Sequence, residues 1–578
     1  MLKKIIASVI ISSVILSACG CSGNTDPAPT SATTAVSDTE SSAETTTAIP
    51  ETTTTAETTT TTAVTTETSA ETTTTAETTT AAENSAETTT AAENSAETTT
   101  TAAETVSETE KTSAVTEPVE SSGKILEGKP YELAENADEN TEKMYNQYTE
   151  QREKYLKRYE KLAKELTLPM VSIITLDKKD ILSKEEYVTS VVDVFNCPEE
   201  FAFSAAAGVR VRGNSTADGH EKPYRIKFNQ KQNMLGLHEG KEYKNWVLLK
   251  SQWNLAMDYM GFTLADAILE DRYYSSDCTY VNVYVNGYFK GIYLLCEQNQ
   301  VADGRVDIYE PKKGETGTDI GYLVEIDNYA DEGTDPYFNV DYLGAELTDI
   351  SDKTNTFVPA DYTIKSDTYS DEQRAFIEKY IKGVFRILYE GAENNNPMMF
   401  DEDYNVISAD GVYDTAKEAV EAVVDLDSLA FLLIHDELIH DYDVGEGSFY
   451  MAVDFSKDST MKKLTFTAPW DFNWAYNDNP SRKFFACTFQ PIVGEQDRSN
   501  PWYITAMKAE WFSDIVKAKW AQLYNDNILT DAVNEVKAGI EGLRNDLGDE
   551  EWKTDSAYEI CKFVERRIQW LNKQWGQE

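Results

Sequence analysis

Apolar and polar positions change period along this 578-residue chain. Between Glu132 and Leu166, the residues Met144, Tyr148, Tyr155, Tyr159 and Leu162 recur at close to helical spacing. That pattern predicts one long amphipathic helix, ended before Pro169. From Met170 the period shortens to two. Strands are expected at Val171–Thr175, Val188–Val194, Ala207–Gly213, Lys222–Phe228 and Asn245–Leu249. A helix is expected from about Asn254 to Glu270. Val281–Val285 and Gly291–Leu295 flank Asn286-Gly287, a dipeptide suited to a tight hairpin turn. Mixed strands and helices follow to about Asp478. Helical patterns then dominate, for example over Ile504–Asn525 and Asp531–Leu547. Trp511, Trp520, Trp570 and Trp575 lie on their apolar faces and are read as core.

The first 123 residues behave differently. Lys3 and Lys4 precede the apolar run Ile5–Leu16, which is short for a membrane span and fits an export signal. Leu16-Ser17-Ala18-Cys19 resembles a bacterial lipobox, so cleavage before Cys19 and lipidation of its thiol are expected. Residues 22–123 are rich in Thr, Ala, Glu and Ser, with too little apolar bulk to offset the entropy of folding. They read as a disordered spacer that holds a folded unit away from the membrane surface. The resulting division is 1–21 signal and lipobox, 22–123 spacer, 124–168 amphipathic helix, 169–480 folded domain, and 481–578 the helical end of that domain.

The net charge of −48 argues against a nucleic-acid partner, which requires a basic footprint. Cysteine usage adds little. With Cys19 lipidated, Cys21, Cys197, Cys278, Cys296, Cys487 and Cys561 remain, without a framework spacing. Cys296, inside an apolar strand, reads as a buried free thiol.

The candidate chemistry lies in two acidic motifs about 28 positions apart. His440-Asp441-Tyr442-Asp443 interrupts a helix-like run and a strand-like run. Pro469-Trp470-Asp471-Phe472-Asn473-Trp474 follows another apolar strand. One carboxylate near an attacking hydroxyl and another on Mg²⁺ are what phosphoryl transfer needs. Asp443 and Asp471 suit these roles. Asp441 adds negative charge that either raises a neighbouring pKa or recruits a second cation. His440 is expected to be exposed. Arg210 and Arg212 share a face by period two, with Glu221 a candidate ion-pair partner.

The order of elements is that of a protein kinase: a strand bearing Lys227, a helix, a hairpin ending at Glu297-Gln298, helices, an Asp loop, a strand and a second Asp. Taken together, Arg210–Thr216, Lys222–Lys227, Trp246–Leu249, Val285–Gln298, Gly321–Asp327, Ser448–Tyr450 and Trp470–Phe472 resemble the spore coat protein H (CotH) kinase family over about residues 168–480. The resemblance implies an α+β, atypical protein-kinase-like bilobal domain, with a β-rich N-lobe and a helical C-lobe. It implies transfer of the ATP γ-phosphoryl group to protein Ser or Thr with Mg²⁺ or Mn²⁺. It also implies Asp443 as the base and Asp471 as the metal ligand, with Asp441 beside it. By element order Lys227 would meet the phosphates, and Glu297 and Gln298 would meet the adenine. Arg212 and Asn214 either approach phosphate or lock a turn. The chain departs from typical kinases in having no GxGxxG loop. The competing reading is a non-catalytic surface adhesin or scaffold that binds a cell-wall, polysaccharide or protein partner.

Overall fold

The computed structural model describes residues 131–576, apart from 163–164, 214, 252–253, 344–356, 477–484, 486 and 489–499. Cys19, the signal segment, the spacer and Asn214 lie outside the described residues.

Seven strands form a closed barrel: β1 (Met170–Thr175), β2 (Val188–Phe195), β3 (Phe203–Val211), β4 (Tyr224–Gln232), β5 (Tyr243–Leu249), β6 (Cys278–Val285) and β7 (Tyr288–Glu297). Neighbours are antiparallel except where β1 meets β6 in parallel and closes the ring. Closure was not expected from the strand patterns. It removes the free edges that a seven-stranded sheet would otherwise expose. Asn286 and Gly287 both take positive φ, 51° and 80°, as a two-residue hairpin between β6 and β7 requires.

Strand alternation sorts side chains between two environments. Val171, Ile173, Val192, Val194, Ile226, Trp246, Leu248 and Leu295 fill the barrel. Met170, Ile174, Val191 and Phe195 point outward and pack under α1 (Glu139–Leu162) through its Met144, Tyr148, Tyr155 and Tyr159. This is why β1 and β2 read as almost unbroken apolar runs: both faces are covered. Two polar pairs fix α1 in place. The Tyr148 hydroxyl donates to Asp193 at 2.8 Å, and Tyr159 shares a hydrogen bond with Ser172 at 2.8 Å.

The outward faces of β5 and β7 do something different. Val247, Leu249, Leu294 and Cys296 join a second core with α2 (Ala256–Leu269) and the C-terminal helices. That core also holds a five-stranded antiparallel sheet made of β8 (Gly321–Asp327), β9 (Tyr337–Val340), β10 (Ala360–Ile364), β13 (Gly447–Asp454) and β14 (Thr465–Thr467), in the order β14-β13-β8-β10-β9. Around it lie α3 (Asp371–Glu393), a small hairpin of β11 (Met398–Phe400) and β12 (Val406–Ser408), α4 (Ala416–Glu421) and α5 (Leu426–Ile439). The chain ends with α6 (Pro501–Ala506), α7 (Glu510–Asn525), α8 (Ile528–Gly542), α9 (Arg544–Leu547) and α10 (Trp552–Trp575).

The single helix expected over 504–525 is therefore two, because the chain turns at Met507–Ala509 to start α7. Trp520 and Trp575 are buried, as core tryptophans should be. Asp546, in α9, accepts hydrogen bonds from the amides of Thr167 and Leu168 and from Asn282 Nδ2. One carboxylate thus ties the C-terminal helices to the start of the barrel.

Candidate active site

α5 is buried along nearly its whole length, Ser428, His435, Asp436 and Glu437 included, and ends in a left-handed residue, His440, at φ 56° and ψ 51°. The turn sends the chain away from the helix, and its first residues carry the acidic motif. His440 is buried rather than exposed, because the turn folds its ring back towards Phe563. Asp441 is only 3% exposed and accepts from the Asp443 amide at 3.0 Å. Burial, followed by the charges of Asp436 and Asp443 and then that of Asp471, pushes the Asp441 carboxyl well above the usual carboxylate range. Asp443 is half-buried, and its carbonyl accepts from the amides of Glu446 and Gly447.

The second motif leaves β14 through another strained turn. Ala468 and Asp471 both take positive φ, 58° and 64°, which is costly for residues with a Cβ. Asp471 is exposed, and its carboxylate accepts from Asn473 Nδ2. What holds the turn is Phe472. Its ring packs edge-on against Phe262 at 5.1 Å between centroids and against His435 at 5.6 Å. It occupies space that exists only because residue 261 is glycine: a Cβ there would lie 2.2 Å from the Phe472 ring. His435 Nε2 meets the Gly261 carbonyl at 2.9 Å and its Nδ1 meets Asp436 at 2.8 Å, so α2, α5 and this turn are locked together.

The packing brings Asp441, Asp443 and Asp471 into mutual electrostatic range, and adds a fourth carboxylate that the sequence did not flag. Asp258, on the first turn of α2, is 7% exposed. Burial, then the charge of Asp471, raise its pKa to about 7, opposed by Arg212. In the sequence Asp258 is one polar residue in an apolar helix. That is a weak sign, since helix starts commonly carry acids.

Arg212 crosses from the barrel side, with its guanidinium 5.3 Å from the centroid of the Trp470 ring. It is this ring, and not Glu221, that Arg212 meets. Glu221 instead pairs with Lys250 at 3.4 Å. Arg210 stacks at 5.3 Å on Tyr187. On the five-stranded sheet, Lys365, just past β10, pairs with Glu325 at 2.6 Å and Asp327 at 3.5 Å, both on β8.

Lys227, by contrast, is exposed on β4. The Glu297 side chain is fully buried and turned to the barrel end, where Arg305 Nε donates to it at 2.9 Å and His238 Nδ1 lies at 3.0 Å. It is a structural ion pair under Tyr243 and Trp246, on which the Arg305 guanidinium also stacks. Gln298, next in the chain, is half-buried.

Among the described residues no three His, Cys, Asp or Glu side chains converge closely enough to hold an ion by themselves. The donor set still suits a hard divalent cation held through one or two carboxylates, with further oxygens from phosphate and water. Its charge would offset the burial, and after it the repulsion between carboxylates, that lift the pKa values of Asp258 and Asp441.

The fold and site define a kinase-like α+β protein, with paired acidic turns facing an arginine-bearing sheet. The family model described as CotH kinase protein matches residues 209–573, and the chain belongs to that family. No curated protein matches it.

Two outcomes follow from the packing and the charge. Gly261→Ala overpacks Phe472, lowers stability by about 1–3 kcal/mol and weakens Mg²⁺-dependent ligand binding. Gly539→Ala, whose Cβ would lie 2.6 Å from the Tyr259 ring on another side of α2, lowers stability and leaves that binding unchanged. Equal effects of the two variants on binding would show that the Phe472 contact does not position Asp471.

The second outcome concerns pH. Asp258 titrates near 3.8 in the unfolded chain and near 7 in the fold. Between those values the folded state keeps a proton that the unfolded chain releases. Stability without bound cation therefore falls by up to about 4 kcal/mol as pH rises from 4 to 7. Urea unfolding across this range should show that decline in the parent chain and a flatter profile in Asp258→Asn. An unchanged slope in the variant would assign it to other groups.

Proposed function

We propose that this chain is an atypical protein kinase that transfers the γ-phosphoryl group of ATP to a Ser or Thr hydroxyl of a protein. The observation that carries the reading is that Asp441, Asp443, Asp471 and Asp258 lie within electrostatic range of one another, with Arg212 beside Asp258. Buried Asp258 and Asp441 beside half-buried Asp443 and exposed Asp471 are costly to hold together unless a cation and an anion complete the charge balance.

Asp443, half-buried at the mouth of the turn, takes the proton of the attacking hydroxyl. The hydroxyl oxygen then bonds to the γ-phosphorus as the bond to the β–γ bridging oxygen breaks, and ADP leaves. Asp471 and Asp441 would hold Mg²⁺ or Mn²⁺, which when bound supplies charge neutralisation to the phosphates. Arg212, fixed by Trp470, faces the charge that builds on the transferred group. The bilobal kinase arrangement belongs to this reading, with the barrel as the nucleotide-side unit and the helical core as the catalytic side.

The test is transfer of labelled γ-phosphate to protein acceptors. Asp443→Asn should lower the rate about 100-fold or more. Asp471→Asn should abolish Mg²⁺-dependent ATP binding measured by titration calorimetry. Transfer that survives in both variants would end the kinase reading. Failure of the parent chain to bind millimolar Mg²⁺-ATP would favour a non-catalytic surface adhesin or scaffold.

The same proposal places the domain outside the cytoplasm, on a lipid anchored at Cys19 and a Thr-rich tether. It rests on the basic start, the short apolar run and the lipobox-like tetrapeptide. Cys19→Ser should move the protein from the membrane fraction to the soluble fraction and remove incorporation of labelled fatty acid. Labelling that persists in the variant would refute the anchor.

A further inference from the structure

The barrel face opposite the acidic turns carries unsatisfied polar atoms that neither the fold nor the acidic cluster uses. Arg210 and Arg225 are direct register partners on β3 and β4, so their side chains leave the sheet on the same side. Arg212 follows two residues after Arg210, where its amide donates to the Pro223 carbonyl at 3.1 Å. The row continues from Arg225 to Val247 on β5 and to Cys296 on β7. Val247 and Cys296 pack into the core around α2, and Arg212 lies over Trp470. One face thus runs from three arginines to the turn that carries Asp471.

Arg225 is the unusual member. Its Nε is buried and has no hydrogen-bond partner among the described residues. Burial, reinforced by the neighbouring Arg210 and Arg212, works against its charge, opposed by Tyr187 and Asp335. Arg210 is differently placed. It donates to the carbonyls of Lys184 and Val211 and stacks on Tyr187. A second buried atom on the same face also lacks a partner, the Oδ1 of Asn245. Asn245 is the register partner of Lys227, one alternation along from the Arg225–Val247 pair. Among the described residues an acceptor and a guanidinium N–H are both left open, which asks for a ligand that carries donors and a strong negative charge.

Three guanidinium groups held on one face repel one another, and a buried donor without a partner is destabilising in itself. Polyphosphate removes both penalties, since Arg forms short charge-assisted hydrogen bonds to phosphate oxygens. Exposed Lys227 satisfies neither condition: it is solvated and carries no unmet demand.

We propose that Arg225, flanked by Arg210 and Arg212, is the cation that grips the polyphosphate of a nucleoside triphosphate on this face, and that Lys227 takes no part. Asn245 accepts a hydrogen bond from a hydroxyl or amine of the same nucleoside. The assignment deepens the kinase reading and rests on it for the identity of the ligand as a nucleotide. The anion site itself does not depend on catalysis.

The experiment uses the full chain with Arg225→Gln, Arg225→Lys and Lys227→Gln. Two probes are titrated: inorganic tripolyphosphate alone, and Mg²⁺-ATP. Arg225→Gln should weaken binding of both at least tenfold, with partial recovery in Arg225→Lys, while Lys227→Gln stays within twofold of the parent. Thermal melts without ligand add a readout that a structural role would not give. Removal of a half-buried cation whose Nε is left without a partner should leave the melting temperature unchanged or higher, and should abolish the rise caused by tripolyphosphate.

A large loss of ligand-free stability in Arg225→Gln would make Arg225 structural and overturn the proposal. So would parent-like binding by that variant, or no tripolyphosphate binding by the parent chain. Arg225-dependent tripolyphosphate binding with no phosphoryl transfer would leave the anion site standing and remove the kinase reading. Transfer at the parent rate by Arg225→Gln would do the reverse.

Discussion

The contact between Phe472 and the bare backbone of Gly261 is the constraint on which the site depends. The ring lies where any side chain at 261 would be, wedged against Phe262 and His435. Because interiors are close-packed, this one fit fixes the relative position of three elements. α2 brings Asp258, α5 brings Asp441 and Asp443, and the turn after β14 brings Asp471. The left-handed conformations at His440, Ala468 and Asp471 persist because this packing over-determines them.

Charge is the second organising principle. The domain buries Asp258 and Asp441 and, among the described residues, sets Arg210, Arg212 and Arg225 on the facing sheet without ion pairs. Elsewhere it behaves differently. Glu297 is met by Arg305 and His238, and Arg567 by Glu437. Among the described residues the chain therefore completes ion pairs where they serve the fold, and gives Arg210, Arg212 and Arg225 no carboxylate partner at salt-bridge distance. That contrast ties the site to ligand chemistry, since incomplete pairs are destabilising and are retained where a ligand completes them.

The barrel makes the arginine-bearing face rigid. Its interior is filled by side chains and its outer surface is divided between α1 and the helical core. A register set by closed strands leaves little freedom to the row Arg210, Arg225, Val247 and Cys296. Catalysis by positioning requires such a surface, because misplacement by an ångström lowers rates steeply.

Much of this was legible in the sequence where the physics is local. Period-two runs marked the strands, Asn286-Gly287 marked the hairpin, helical spacing marked α1, and the two acidic turns stood out because carboxylates interrupt apolar segments. Side-chain alternation also placed Arg210 and Arg212 on one face. Everything that depends on long-range packing was not legible. Barrel closure needs β1 to meet β6, more than a hundred residues away. Lys227 and Arg225 are equally basic residues of one strand. The fold separates them by leaving Lys227 in water and burying the Nε of Arg225. Glu297 carries the same charge whether it meets a ligand or Arg305, and only the barrel end decides between them. Asp258 is one more acid near a helix start until α2 is packed against Phe472. Local pattern determined which segments could form and which residues were chemically able. Burial and partnership decided which of them the protein left unsatisfied, because those are properties of the assembled neighbourhood and not of a residue.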